Sequence, residues 1–155
     1  MPTPTYTALA TVTLVSTTSS VTFSNIPGTY RDLILVVTGT TTAGAGITFT
    51  HNGDTTAANY TSVNLRGTGS TATSGTATNA NMISMYTTQS QGVVQFMDYS
   101  ATDKHKTALA RSDNSANEVY ALARRWANTA AITSITVGGG TFNSGSTFSL
   151  YGVIA

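Results

Sequence analysis

The side chains of this sequence that titrate near neutrality or carry a carboxylate are few: two histidines and six acids. His51 precedes the run Asn52-Gly53-Asp54, and His105 stands between Lys104 and Lys106. With Asp54, Asp98 or Asp103, either imidazole has the donor types of a catalytic or metal site. The spacing does not build one. No HExxH pattern and no cluster of three ligands is present, and two lysines beside His105 disfavour a bound cation. Both histidines are expected at the surface, on loop edges. A glycosidase needs only two carboxyl groups, to be drawn from Asp32, Asp54, Asp98, Asp103, Asp113 and Glu118. Asp98, between Met97 and Tyr99, is expected to cap a turn or to pair with Arg31 or Arg111. Thr and Ser together occupy 48 positions, yet no G-x-S-x-G elbow occurs. GTGSTATSG at 67–75 lacks the lysine of a phosphate loop, and Ala72 breaks G-x-G-x-x-G. With no cysteine, thiolate and zinc–sulfur chemistry are excluded. The expectation is a protein that is not an enzyme, with no catalytic, metal or cofactor-binding residue.

Binding chemistry is better represented. Tyr60, Tyr86, Tyr99, Tyr120 and Trp126 are candidates for a sugar-stacking platform; the same residues suit a core or a packing surface between subunits. Residues 1–7, MPTPTYT, contain Pro2 and Pro4, which favour extended backbone, and Tyr6. They read as an arm that docks on a partner or on a sister copy. The interface candidates are therefore Pro2, Pro4, Tyr6, Tyr60, Tyr86, Tyr99 and Trp126.

These residues must be positioned by strands. The chain has 155 residues, 40% of them hydrophobic and 8% charged, which predicts a single domain over 1–155 with one core. Threonine suits pleated strands, while Glu and Lys, both good helix formers, are nearly absent. A net charge of +1 with dispersed basic residues argues against a nucleic-acid surface. No apolar run approaches a membrane span, and the start does not read as a signal peptide. Alternation marks strands at Ala10–Leu14, Val21–Phe23, Ile47–His51, Tyr60–Leu65, Met82–Thr87, Val93–Tyr99, Ile132–Val137 and Phe148–Ile154. The run Leu33–Val37 is apolar throughout and predicts a central strand covered on both faces. Residues 67–81 read as a Gly/Ser/Thr-rich loop, and Asn52-Gly53 as a turn with positive φ. The stretch 117–127 has both helical and strand spacing and is assigned as a strand, since a lone helix would lack a layer to join. Eight to ten strands in an antiparallel two-sheet sandwich are expected.

The order of phrases along the chain carries a resemblance. TYTALATVTL is followed by SSVTFSNIPGTYRDLILVV, FTHNGDT…NYT, QFMDYSATDKHKTALARS, RWANTAAITSITV and finally GSTFSLYGVIA. In this order the chain resembles small bacteriophage virion proteins, namely head decoration (cement) proteins or modules of tail fibres. The resemblance implies a jelly-roll-like β-sandwich without catalytic residues. It implies a place on the outer surface of the capsid, the major capsid protein as partner and a homo-oligomer, with a trimer favoured. The alternative is a tail-fibre or receptor-binding module that adheres to glycan. Nothing in the chain has heptads or solenoid repeats, and a sandwich that begins at Met1 is expected to bind by its own faces.

Overall fold

The computed structural model describes residues 4–114 and 118–154. These form an all-β, jelly-roll-like sandwich of two antiparallel sheets. In chain order the strands are β1 (Tyr6–Thr13), β2 (Val21–Phe23), β3 (Asp32–Gly39), β4 (Ala45–His51), β5 (Tyr60–Gly67), β6 (Ala72–Ala77), β7 (Asn81–Met85), β8 (Ser90–Met97), β9 (Lys106–Asn114), β10 (Glu118–Trp126), β11 (Ile135–Gly138) and β12 (Thr147–Val153). A three-residue 3-10 turn, Ala57–Asn59, precedes β5. The large sheet runs β1-β12-β3-β8-β9-β10-β5-β6, and the small one β2-β11-β4-β7.

The period-2 alternation of side chains sorts each strand into an inner and an outer row. Register carries the rows across the large sheet: Leu150 pairs with Leu35, Leu35 with Val94, Val94 with Ala110, and Ala110 with Leu122. All five are buried, so this row faces the small sheet. Phe49, Ile47, Ile83, Met85, Ile135, Val137, Val21 and Phe23 answer it from the other side. The small sheet is half as wide. Its edge strand β7 lies over β8, β9 and β10, and the inner rows of β5 and β6 project past it. Asn64 is accordingly half-buried and Arg66 exposed.

Several expectations need correction. Leu33–Val37 is not covered on both faces. Leu33, Leu35 and Val37 are buried, whereas Ile34 and Val36 are half-buried on the outer face, which no second layer of the described residues covers. Residues 67–81 are not one loop: Ala72–Ala77 forms β6, the edge strand of the large sheet. Small side chains do not prevent this, because an edge strand needs a hydrogen-bonded neighbour on one side only, here β5. The described residues form twelve strands rather than eight to ten. Of the segment 1–7 assigned to an arm, Tyr6 and Thr7 pair with β12 as part of β1, and Ile154 N–H donates to the Thr5 carbonyl at 2.9 Å. Within 117–127, residues 118–126 form β10, a strand as assigned; residue 117 lies outside the described residues. Asn52 and Gly53 do have positive φ, at 52° and 73°.

Candidate functional site

The polar chemistry gathers at one end of the sandwich, inside it. The alternation of β10 turns Arg124 inward, where it is 2% exposed. Its guanidinium donates to the Ala80 carbonyl at 2.6 Å and the Phe49 carbonyl at 2.9 Å. A third bond reaches His51 Nε2 at 2.8 Å. Arginine only donates, so Nε2 accepts and the His51 proton sits on Nδ1. Nδ1 is buried without a hydrogen-bond partner among the described residues. Burial, and then the neighbouring Arg124 charge, hold the His51 pKa well below its usual value. Burial likewise draws Arg124 down to about 9. The Arg124 guanidinium carbon also lies 4.8 Å from the centre of the Tyr60 ring, a cation–π contact.

Asp54 closes this end. It accepts from Trp126 Nε1 at 2.7 Å, Asn59 Nδ2 at 2.8 Å and the Thr56 N–H at 2.9 Å. The Trp126 bond leads in lowering its pKa to about 2. The Tyr60 hydroxyl donates to the Asp54 carbonyl at 2.8 Å and accepts from the His51 N–H at 3.1 Å. This His–Arg–Tyr–Asp assembly uses nearly every polar atom to join β4, β5 and β10. His51, Tyr60 and Arg124 are buried, and Asp54 is half-buried at the mouth of the assembly. The described residues contain no group of three His, Cys, Asp or Glu placed to hold a metal.

The interface candidates separate accordingly. Tyr60 and Tyr99 are fully buried and Trp126 is 2% exposed. They cannot form an external platform while the sandwich is intact, because their rings fill the space between the sheets. Tyr60 stacks on Trp126 at 6.5 Å. The Tyr99 hydroxyl donates to the Pro27 carbonyl and accepts from the Tyr30 N–H. Tyr86 is half-buried, and Tyr120 likewise. Both lie near the Glu118 carboxylate, which accepts from Arg66 Nε. Tyr6 is 55% exposed, and Pro4 is exposed. Pro2 lies outside the described residues. His105 is exposed as expected, but His51 is not at the surface: the residue that begins its turn is the last inward position of β4. Asp98 pairs with neither Arg31 nor Arg111. It stands at φ 47°, exposed, 3.5 Å from Lys104 Nζ.

The unassigned surface lies on the other side of the large sheet. Register aligns Val63, Ala123, Leu109, Gln95 and Ile34 in one outer row, and Leu65, Ala121, Arg111, Val93 and Val36 in the next. Val63 is 57% exposed, Leu65 63% and Leu109 46%. The members of these rows other than Val36, with Tyr6 from β1, line an open groove of about 610 Å³. Beyond Val63 and Ala123 it continues into a cleft of about 420 Å³ edged by Arg125. Sequence reasoning missed this face. Its trace is that β5, β9 and β10 carry apolar residues on the parity opposite to their buried ones.

No protein-family model matches the chain, and no curated protein sequence matches it. Among solved structures it is similar to the galectin LEC-6 of Caenorhabditis elegans. The TM-score is 0.40 at 10% identity, over 90% of this chain and 94% of that one. It is also similar to an exo-inulinase from Aspergillus awamori, with a TM-score of 0.30 at 10% identity, over 97% of this chain and 29% of that one. At these scores neither likeness carries an argument about a site. The described residues contain no helix long and apolar enough to cross a membrane.

Proposed function

We propose that this chain is a structural protein of a bacteriophage virion. In this reading it is a capsid cement protein that sits on the outer surface of the head and clamps adjacent copies of the major capsid protein. The observation that carries the reading is the apolar outer face of the large sheet. An antiparallel sheet that faces water on one side ordinarily alternates hydrophobic-in with polar-out. Here Val63, Leu65, Leu109 and Val119 are all outside and largely exposed. Exposed apolar area of this kind marks a surface that a partner covers. A stable contact needs roughly 800 Å² per partner, about a tenth of the 7641 Å² that the protein exposes. The order of sequence phrases adds the class of partner. A trimer on local three-fold positions is the proposed assembly. With a net charge of +1, neighbouring copies repel one another little.

Adhesion to glycan through a tail fibre is less favoured. Three of the aromatic candidates for stacking, Tyr60, Tyr99 and Trp126, are internal, and the groove offers Tyr6 as its aromatic residue. The test is direct. Purified protein is added to expanded, empty phage heads assembled without it. Saturation at a symmetric fraction of the coat copies, with DNA retained to higher temperature in decorated heads, is the expected result, because a ligand of the assembled shell stabilises it by mass action. Glycan binding with no affinity for heads would reject it.

A further inference from the structure

Arg111 stands in the middle of the apolar groove. On β9 it is flanked along the strand by Leu109 on one side and Asp113 on the other, and across the sheet by Val93 and Ala121. It is exposed. Among the described residues no carboxylate lies within ion-pair distance of it, Asp113 included. Asp32, the other acid on this face, is engaged elsewhere. It accepts from Gln95 Nε2 at 3.0 Å and the Asp98 N–H at 3.0 Å, and stands 4.0 Å from Arg31. Among the described residues the lining of the groove includes no acid, and its continuation adds Arg125. The floor is therefore apolar, with a planar cation at its centre that no carboxylate of the described residues contacts. A purely apolar partner would strip water from Arg111 and return nothing, a costly arrangement for a buried charge. A partner with a carboxylate at that point would restore the bonds, since the guanidinium fork matches a carboxylate in two places.

We infer that the groove receives a protruding apolar segment of the partner protein that carries one carboxylate, and that Arg111 pairs with it. This rests on the proposed docking face and names the chemistry that face selects. The charge complement sets the choice of occupant. A second copy would have to offer an acid on an apolar projection, whereas among the described residues the exposed acid of its outer face is Asp113, which lies on the strand β9 itself and outside the groove lining.

Two synthetic peptides of valine and leucine, one with a central glutamate and one with glutamine, are titrated into the full chain. The glutamate peptide is expected to bind about tenfold more tightly, the scale of one charge-assisted contact. The ratio should fall to about one in Arg111→Gln, and Leu65→Asp should weaken both peptides. Equal affinities in the native chain, a ratio that survives Arg111→Gln, or no binding of either peptide would overturn the inference. So would tighter binding of dodecanoate, which would make the ligand an amphiphile, or self-association that Leu65→Asp abolishes, which would make the occupant a second copy. Head binding by Arg111→Gln at native affinity would reject the Arg111 pairing and leave the cement reading standing. The peptide preference without head binding would do the reverse.

Discussion

Arg124 carries a buried charge that is met by dipoles and a ring face, with no carboxylate partner among the described residues. Such a group stabilises only while every acceptor stays in place. Arg124→Lys offers one nitrogen on a flexible stem and cannot reach Ala80, Phe49 and His51 together. Both Arg124→Lys and Arg124→Ala should lower stability in urea by about 2–4 kcal/mol. A native-like midpoint for either would show that the fork is dispensable. His51 supplies a pH dependence. Its folded pKa is lowered by burial and by Arg124, whereas the unfolded chain takes up its proton near 6.5. The unfolded state thus binds the extra proton first. The stability that neutral His51 provides is fully present above about pH 6.5 and is lost as pH falls below it. Asp54 acts with the same sign lower down, between its ordinary 3.8 and about 2. Urea midpoints should therefore fall in two stages on acidification, and His51→Gln should remove the first. Exposed His105 is the control: His105→Asn should leave stability within about 0.5 kcal/mol.

At the level of elements, β12 is the strand whose loss matters most for the large sheet. It lies between β1 and β3, paired to both along its length. Phe148 and Leu150 are buried from it, each contributing roughly 1.5–3 kcal/mol. Ile154, expected on the same inner row, lies past the end of β12 and is half-buried. Deleting residues 148–155 would strand β1 without a neighbour in its sheet. The truncated chain should show no cooperative unfolding transition by circular dichroism; a soluble, folded β-protein would make this segment detachable. Gly152 tests the inner face of the same strand. A Cβ there would lie 2.4 Å from the Tyr30 ring, so the ring rests directly on the glycine backbone. Gly152→Val should cost about 1–3 kcal/mol by overpacking, and Tyr30→Ala should recover part of that loss. No recovery would place the strain in the backbone instead.

For the whole molecule, the two sides of the large sheet have different tasks. The inner side joins the small sheet, and replacing any buried member of it is expected to cost stability. The outer side contributes little to folding. Val63→Thr with Leu65→Thr should leave the thermal midpoint nearly unchanged, each within about 0.5 kcal/mol, while reducing binding of an apolar dye. A large drop in stability would mean that this face belongs to the fold itself and has no vacancy for a partner.

Alternation in β2, β4 and β12 and the Asn52-Gly53 turn were enough to establish an antiparallel β-protein, because in these strands the buried apolar side chains fall on one parity and the turn requires positive φ. Even the ambiguous 117–127 is assigned as a strand because a lone helix would lack a layer to join, and residues 118–126 are β10. What sequence could not decide was which parity of β9 and β10 faces inward. Leu109, Val119, Ala121 and Ala123 compete there with Lys106, Glu118, Leu122, Arg124 and Trp126. A local apolar count leaves the two parities of β10 close to even, and in β9 the inward Ala108 and Ala110 oppose a larger Leu109. Tertiary structure decides it through partners remote in sequence: the carbonyls of Phe49 and Ala80 and the ring of His51 accept from Arg124, and Asp54 accepts from Trp126. Charged groups are buried only where such acceptors converge. Once they turn inward, period 2 forces Val119, Ala121, Ala123 and Leu109 outward, and the apolar groove follows.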